Sequence, residues 1–189
     1  TAITGGRRDN KDTFQTFVDN VSMFNNLLAN KHLFGKLINF CSGAAFGRGT
    51  DIYEYHEHRI YGHLPGDPYG MSKNIISRII KGHPYTNLRL YGLFGPDEND
   101  DRFIKMCINK SKSSQKLVIN NDKFFDFFYV KDLIEILKQI ISGKFKLNNH
   151  DLDLVYNDKF KLSQIALFIN ELSGNKSEIL IQDYSSKSY

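Results

Sequence analysis

The chain of 189 residues is 41% hydrophobic and 24% charged, the make-up of a globular domain able to bury a core, which excludes a disordered or fibrous protein. Its net charge of +4 is scattered among 21 acidic residues with one local basic run, KSKSSQK at 110–116, so no basic face with interleaved aromatics invites nucleic acid. No apolar run reaches the roughly 18 residues of a membrane span, no signal segment opens the chain, and Cys41 and Cys107 stand far apart in apolar segments as expected free thiols, so the expected location is cytoplasmic.

The chain begins at Thr1 without a methionine and runs straight into TAITGGRR, where Arg7 and Arg8 after two glycines could meet a phosphate but read rather as a solvated turn. From Thr13 to Leu28 the residues Phe14, Phe17, Val18, Val21, Phe24, Leu27 and Leu28 recur at three- and four-residue steps, the stripe of an amphipathic helix that Asp12 or Thr13 can cap. KLINFC at 36–41 reads as a buried strand opening into the small-residue loop SGAAFGRG. Pro68 suits the first position of a helix, and Tyr69, Ile75, Ile76, Ile79 and Ile80 continue one face until Gly82, His83 and Pro84 stop it. NLRLYGLFG at 87–95 predicts the next strand and its exit loop, followed by a helix near Arg102 to Asn109 and short strands at 117–119 and 124–130. Leu133, Ile134, Ile136, Leu137, Ile140 and Ile141 mark a helix closed by Gly143; LDLVY at 152–156, a helix over 162–172 and EILIQ at 178–182 complete the chain. Strands alternating with helices predict a parallel α/β sheet.

No G-x-G-x-x-G is present, and both ends look cut through an α/β unit. A dinucleotide-binding fold needs that glycine-rich turn for its pyrophosphate, so a preceding stretch of about 60 residues is expected to hold it. The 189 residues alone are expected to bind a dinucleotide weakly or not at all.

Chemistry concentrates in DPYGMSKNI at 67–75. Tyr69 and Lys73 stand at i and i+4 on one helix face, so the ammonium can reach the pocket that the phenol faces. A phenol titrates near pH 10, and lowering it by about three units takes roughly 4 kcal/mol of phenolate stabilisation, which a neighbouring cation can supply. Ser42, at the C-terminal end of the preceding strand, stands where open parallel sheets bind ligands and can hydrogen-bond a substrate oxygen. The bland readings are an ordinary first helical turn for Tyr69 and Lys73, and for Ser42 a turn residue satisfying local backbone.

The order FCSGAAFGR, PYGMSK, NLRLYGLFGP, FFDFFYVKDL resembles the extended short-chain dehydrogenase/reductase family, and within it the nucleotide-sugar epimerase/dehydratase group, over nearly the whole chain. The resemblance implies the C-terminal part of a Rossmann-type parallel sheet over 1–95 and a smaller substrate-binding α/β region over 96–189, with 126–149 packing back on the first. It implies NAD or NADP as cofactor, Tyr69 as acid/base, Lys73 on the nicotinamide ribose, and Ser42 on the reacting oxygen. It places Ala2, in TAITGG, and Leu90 along the dinucleotide, Asn20 as a supporting residue, and Gly43, Gly92 and Arg102 on a nucleotide-sugar substrate. It further implies a homodimer through helices 13–29 and 69–81, which Phe17, Phe24 and Ile76 would suit.

Departures narrow the reaction. Gly43 and Ala44 stand where dehydratases of the group carry an Asp-Glu pair, so dehydration is not expected. Ala44 and Asp97 stand near the places of a fucose-synthase cysteine and histidine. Gly92 replaces the substrate-facing asparagine, and Phe125 replaces an arginine for the phosphates, a loss that Arg102 or Lys123 could offset. HEH at 56–58, with His63 nearby, lacks H-E-x-x-H spacing and predicts no metal, leaving a substrate-loop role. The leading expectation is an NAD(P)-dependent epimerase or reductase of a sugar nucleotide; the alternative is a non-catalytic dinucleotide-binding scaffold that kept Ser42, Tyr69 and Lys73.

Overall fold

The computed structural model describes residues 12–47, 52, 56–145, 151–174 and 177–183. Ala2, Arg7 and Arg8, with the rest of TAITGGRR, lie outside the described residues.

The expected alternation of strands and helices is present, and among the described residues every pairing between strands β1–β7 is parallel. Residue contacts divide the chain into two compact units, one of residues 1–91 and 143–154, the other of residues 92–142 and 155–189.

In the first unit, helix α1 (Phe14–Ala29) runs into strand β1 (Ile38–Ser42), helix α2 (Pro68–Lys81) and strand β2 (Thr86–Leu90), and strand β6 (Asp151–Leu154) closes the sheet in the order β1-β2-β6. Between β1 and α2 lie two short 3-10 turns, Gly43–Phe46 and Glu57–Tyr61, that hydrophobic periodicity does not announce. Thr13 occupies the cap position of α1, but its side chain makes no capping hydrogen bond. Asp67, by contrast, caps α2 by accepting from the Gly70 amide at 2.8 Å, with Pro68 directly behind it. Phe24 of α1 and Ile76 of α2 are buried with Ile80 and Tyr85 in one apolar cluster. These two side chains therefore pack α1 on α2 within the chain and are not available to a dimer surface, a correction to the role expected of them.

The sheet departs from the apolar run usual in buried parallel strands. Asn39, Asn87 and Asp151 stand in register across β1, β2 and β6, and so do Cys41, Arg89 and Asp153. Asn87 receives the Asn39 amide at 2.7 Å and donates to Asp151 and to Ser77 of α2. Arg89, fully buried, pairs with Asp153 and lies 3.5 Å from Asp151. Tyr61 donates to the other oxygen of Asp151, and burial followed by that carboxylate pushes its phenol well above the usual range.

In the second unit, β3 (Gly92–Phe94) pairs with β5 (Phe127–Tyr129), and β4 (Leu117–Ile119) pairs with β7 (Ile179–Ile181). Helices α3 (Phe103–Lys112) and α5 (Leu162–Ser173) pack around Cys107, Leu117, Ile119 and Ala166, while α4 (Val130–Ile141) follows β5 directly. Two expected strands change here. NLRLYGLFG is two strands in two sheets, parting at Tyr91, and FFDFFYV is a strand only from Phe127. Phe124 instead bridges to Lys161, and Phe125 folds over Gly92. Gly143 follows α4 at φ 73° and Gly174 ends α5 at φ 67°, left-handed stops that glycine adopts without strain.

Candidate active site

Helix α2 presses its first turn onto the end of β1. A side chain on Gly70 would begin 2.4 Å from the Ala44 carbonyl oxygen, so only glycine lets the two backbones meet. One turn on, Lys73 Nζ donates to the Phe40 carbonyl at 2.9 Å. Ser42 thus lies between two points, Phe40 and Ala44, that the Tyr69–Lys73 turn touches. The structure brings the three expected residues into one neighbourhood on local packing alone.

Lys73 is 5% exposed, with its ammonium 5.8 Å from the centre of the Tyr69 ring. Among the described residues no carboxylate pairs with it. Burial lowers its affinity for a proton, so the cation is held at a cost that one carbonyl offsets only in part. An ammonium has three donors, and the two not directed at Phe40 suit the hydroxyls of a ribose.

Ser42 Oγ accepts from the Ala44 amide at 3.2 Å and so caps the Gly43–Phe46 turn. The local role is real, yet it uses a lone pair and leaves the hydroxyl hydrogen for a substrate oxygen. Asn20, 2% exposed, donates to Ser72 Oγ at 3.1 Å, and Ser72 donates to the Tyr69 carbonyl at 2.7 Å. Asn20 thereby holds the backbone of the Tyr69 turn through Ser72.

Of the residues expected on ligands, Leu90 ends β2 in register with Ser42. Gly43 is buried, with the Tyr91 ring 2.4 Å from where its side chain would begin. Gly92 belongs to the second unit, where the Phe125 ring comes within 2.6 Å of the same position on it. Arg102 precedes α3, its guanidinium 3.9 Å from Glu98 and 3.5 Å from the Leu93 carbonyl. Lys123 lies over the Phe125 ring at 5.5 Å, and burial lowers its proton affinity. His56 and His58 stack on each other at 5.6 Å, flanking Glu57. The second unit also holds a cavity of about 260 Å³ lined by Phe125, Phe127, Tyr156 and Phe160 together with Asp126 and Asp158.

Periodicity missed Asn74, whose buried amide donates to the carbonyls of Ala45 at 2.9 Å and Ile60 at 2.7 Å, fastening the turn after Ser42 to α2. It also missed Tyr61, Asn87, Arg89, Asp151 and Asp153. The signal for the last four was visible as polar residues two apart in both NLRL and DLDL.

A family model described as the NAD dependent epimerase/dehydratase family matches residues 1–154. The chain belongs to that family. It is similar to a CDP-abequose synthase of Yersinia pseudotuberculosis, 25% identical over 148 residues that make up 74% of this chain and 52% of that protein. The chain thus spans about half the length of this curated relative. Among solved structures it resembles a UDP-glucuronic acid 4-epimerase of Bacillus cereus in complex with UDP-glucuronic acid and NAD, with a TM-score of 0.77 at 19% identity over 99% of this chain and 62% of that one. It also resembles a GDP-mannoheptose C4 reductase of Campylobacter jejuni with NADP, with a TM-score of 0.77 at 13% identity over 100% of this chain and 71% of that one. At these identities the likeness shows the fold, a Rossmann-type α/β sheet. For this epimerase/dehydratase chain, the first unit carries Ser42 at the end of β1 and Tyr69 and Lys73 on the first turns of α2.

Proposed function

We propose that the protein is an NAD(P)-dependent epimerase or reductase acting on a nucleotide-activated sugar. The observation that carries this reading is Lys73, a buried ammonium lacking a carboxylate partner among the described residues, fixed beside the Tyr69 ring at the end of β1. Tyr69 takes a proton from the sugar hydroxyl or returns it, and the Lys73 charge favours the phenolate that does so. Ser42 donates to the same sugar oxygen, and the free donors of Lys73 hold the ribose next to the nicotinamide. When bound, the dinucleotide supplies the hydride acceptor or donor at the sugar carbon. Leu90 and Ala2 belong to the cofactor side in this reading, and Gly43, Gly92 and Arg102 to the substrate side.

Retention of the sugar hydroxyl, rather than dehydration, is supported by Gly43 and Ala44. Both are buried, and the Tyr91 ring fills the space where a carboxylate on residue 43 would begin. The homodimer surface in this reading lies on helices 13–29 and 69–81, where Phe14 and Val18, one turn apart on α1, are exposed, and the cytoplasm is the proposed location.

Turnover of the full-length protein with a panel of nucleotide sugars, followed through NAD(P)H absorbance or product analysis, tests the reading. Activity that Tyr69→Phe leaves unchanged would sink it. One observation favours the non-catalytic scaffold instead: the Phe125 ring over Gly92 leaves an apolar surface where polar substrate contacts are expected. Cofactor binding without turnover of any sugar in the panel would select that alternative.

A further inference from the structure

The turn that follows Ser42 is gripped from the sheet at both ends. At its start, the ring of Tyr91 lies against Gly43, its Cδ1 and Cε1 atoms 2.4 Å and 2.7 Å from where a side chain would begin. At its end, the Arg89 guanidinium covers the ring of Phe46 at 4.8 Å. One carboxylate ties the two grips together: Asp153 accepts from Arg89 through one oxygen and from the Tyr91 hydroxyl, at 3.3 Å, through the other. On the opposite side, Asn74 and the bare backbone of Gly70 fix the same turn to α2. The amide that orients Ser42 Oγ belongs to Ala44, inside this turn.

A guanidinium and carboxylates buried in a sheet cost desolvation that apolar residues of similar size would avoid. Their gain here is fixed geometry. We infer that Tyr91 and Asp153 are positioning residues: they lock the Gly43–Phe46 turn, through it the Ala44 amide, and so the direction of the Ser42 hydroxyl. The inference rests on the proposed role of Ser42 for its effect on turnover, but the grip on the turn is measurable without it.

The test uses the full-length protein with Tyr91→Phe, Tyr91→Leu and Asp153→Asn, each alone and combined with Ser42→Ala. Tyr91→Leu removes the ring and should lower kcat about tenfold while leaving cofactor KM unchanged. Tyr91→Phe and Asp153→Asn keep the shape and should lower it about threefold. On the Ser42→Ala background, none of the three should lower kcat further. Equal losses on both backgrounds would overturn the inference, since a residue acting only through general stability lowers both alike. Amide exchange supplies a second readout: Ala44 and Ala45 should exchange faster in Tyr91→Leu and Asp153→Asn, with the β2 amides unchanged. If Ser42→Ala costs no activity, the proposed role of Ser42 fails. The exchange rates then decide the grip alone, and unchanged rates at Ala44 and Ala45 reject it.

Discussion

Lys73 carries a cost to the fold that its proposed role in the reaction accounts for. Its proton affinity in the folded chain lies below the ordinary lysine value because burial disfavours the cation. Between those two values the unfolded chain binds the proton more than the folded chain does, so stability rises with pH across that window. Below it the full penalty applies. Lys73→Met should therefore raise the melting temperature near neutral pH by a few degrees and flatten the alkaline rise, while abolishing turnover. Thermal melts at about pH 7 and about pH 10 check this, and a lowered melting temperature in the variant would contradict it. Tyr69→Phe, which removes only the phenol oxygen, should cut kcat by about a hundredfold or more and leave the melting curve in place. That these two side chains meet was legible from their spacing after Pro68, because a helix brings positions four apart together whatever surrounds them. Asn20 came only through the family resemblance: it reaches the tyrosine backbone through Ser72, 52 positions away in sequence, a partner that nothing local encodes.

At the scale of elements, glycines set the distances. Gly70→Ala would drive a methyl group into the Ala44 carbonyl, so it should cost about 1–3 kcal/mol and displace Tyr69. Denaturant melts together with kcat measure both effects. Gly92 and Phe125, two departures from the family pattern that looked independent, occupy the same space. Gly92→Asn alone should destabilise the second unit by a similar amount, and Phe125→Ala should cost less on the Gly92→Asn background than alone, a coupling that a double-mutant cycle reads directly. The helices were legible because apolar stripes of period 3.6 survive any tertiary setting. The strand NLRLYGLFG was read as one because Tyr91 fits a strand as well as its neighbours do. Only its contacts with Gly43 and Asp153 mark it as the point where one sheet ends.

For the molecule as a whole, stability hangs on a polar ladder as well as on apolar clusters. Arg89→Leu should leave two buried carboxylates without their cation and cost about 3–5 kcal/mol, a loss visible in urea melts. The thiols offer a separate probe of intactness. Cys41 and Cys107 are 4% and 2% exposed, and burial pushes the Cys107 thiol up to about 12, so a disulfide reagent should titrate neither until the chain unfolds. The α/β class followed from alternating patterns, yet the ladder did not, because polar residues in buried strands become sense only when their partners from other strands are known.

Those partners lie far apart in sequence. Asn87 and Arg89 meet Asp151 and Asp153 across 64 positions, with much of the second unit encoded between them. On a ribosome, β2 therefore emerges with a guanidinium that stays uncompensated for several seconds at about 5–20 residues per second. The first unit must wait for its last strand, and a nascent chain stopped before residue 151 should be held open to chaperones and proteases. Once β6 arrives, a slip of one residue would set Leu152 or Leu154 against Arg89, so the ladder also chooses the register in which the first unit closes.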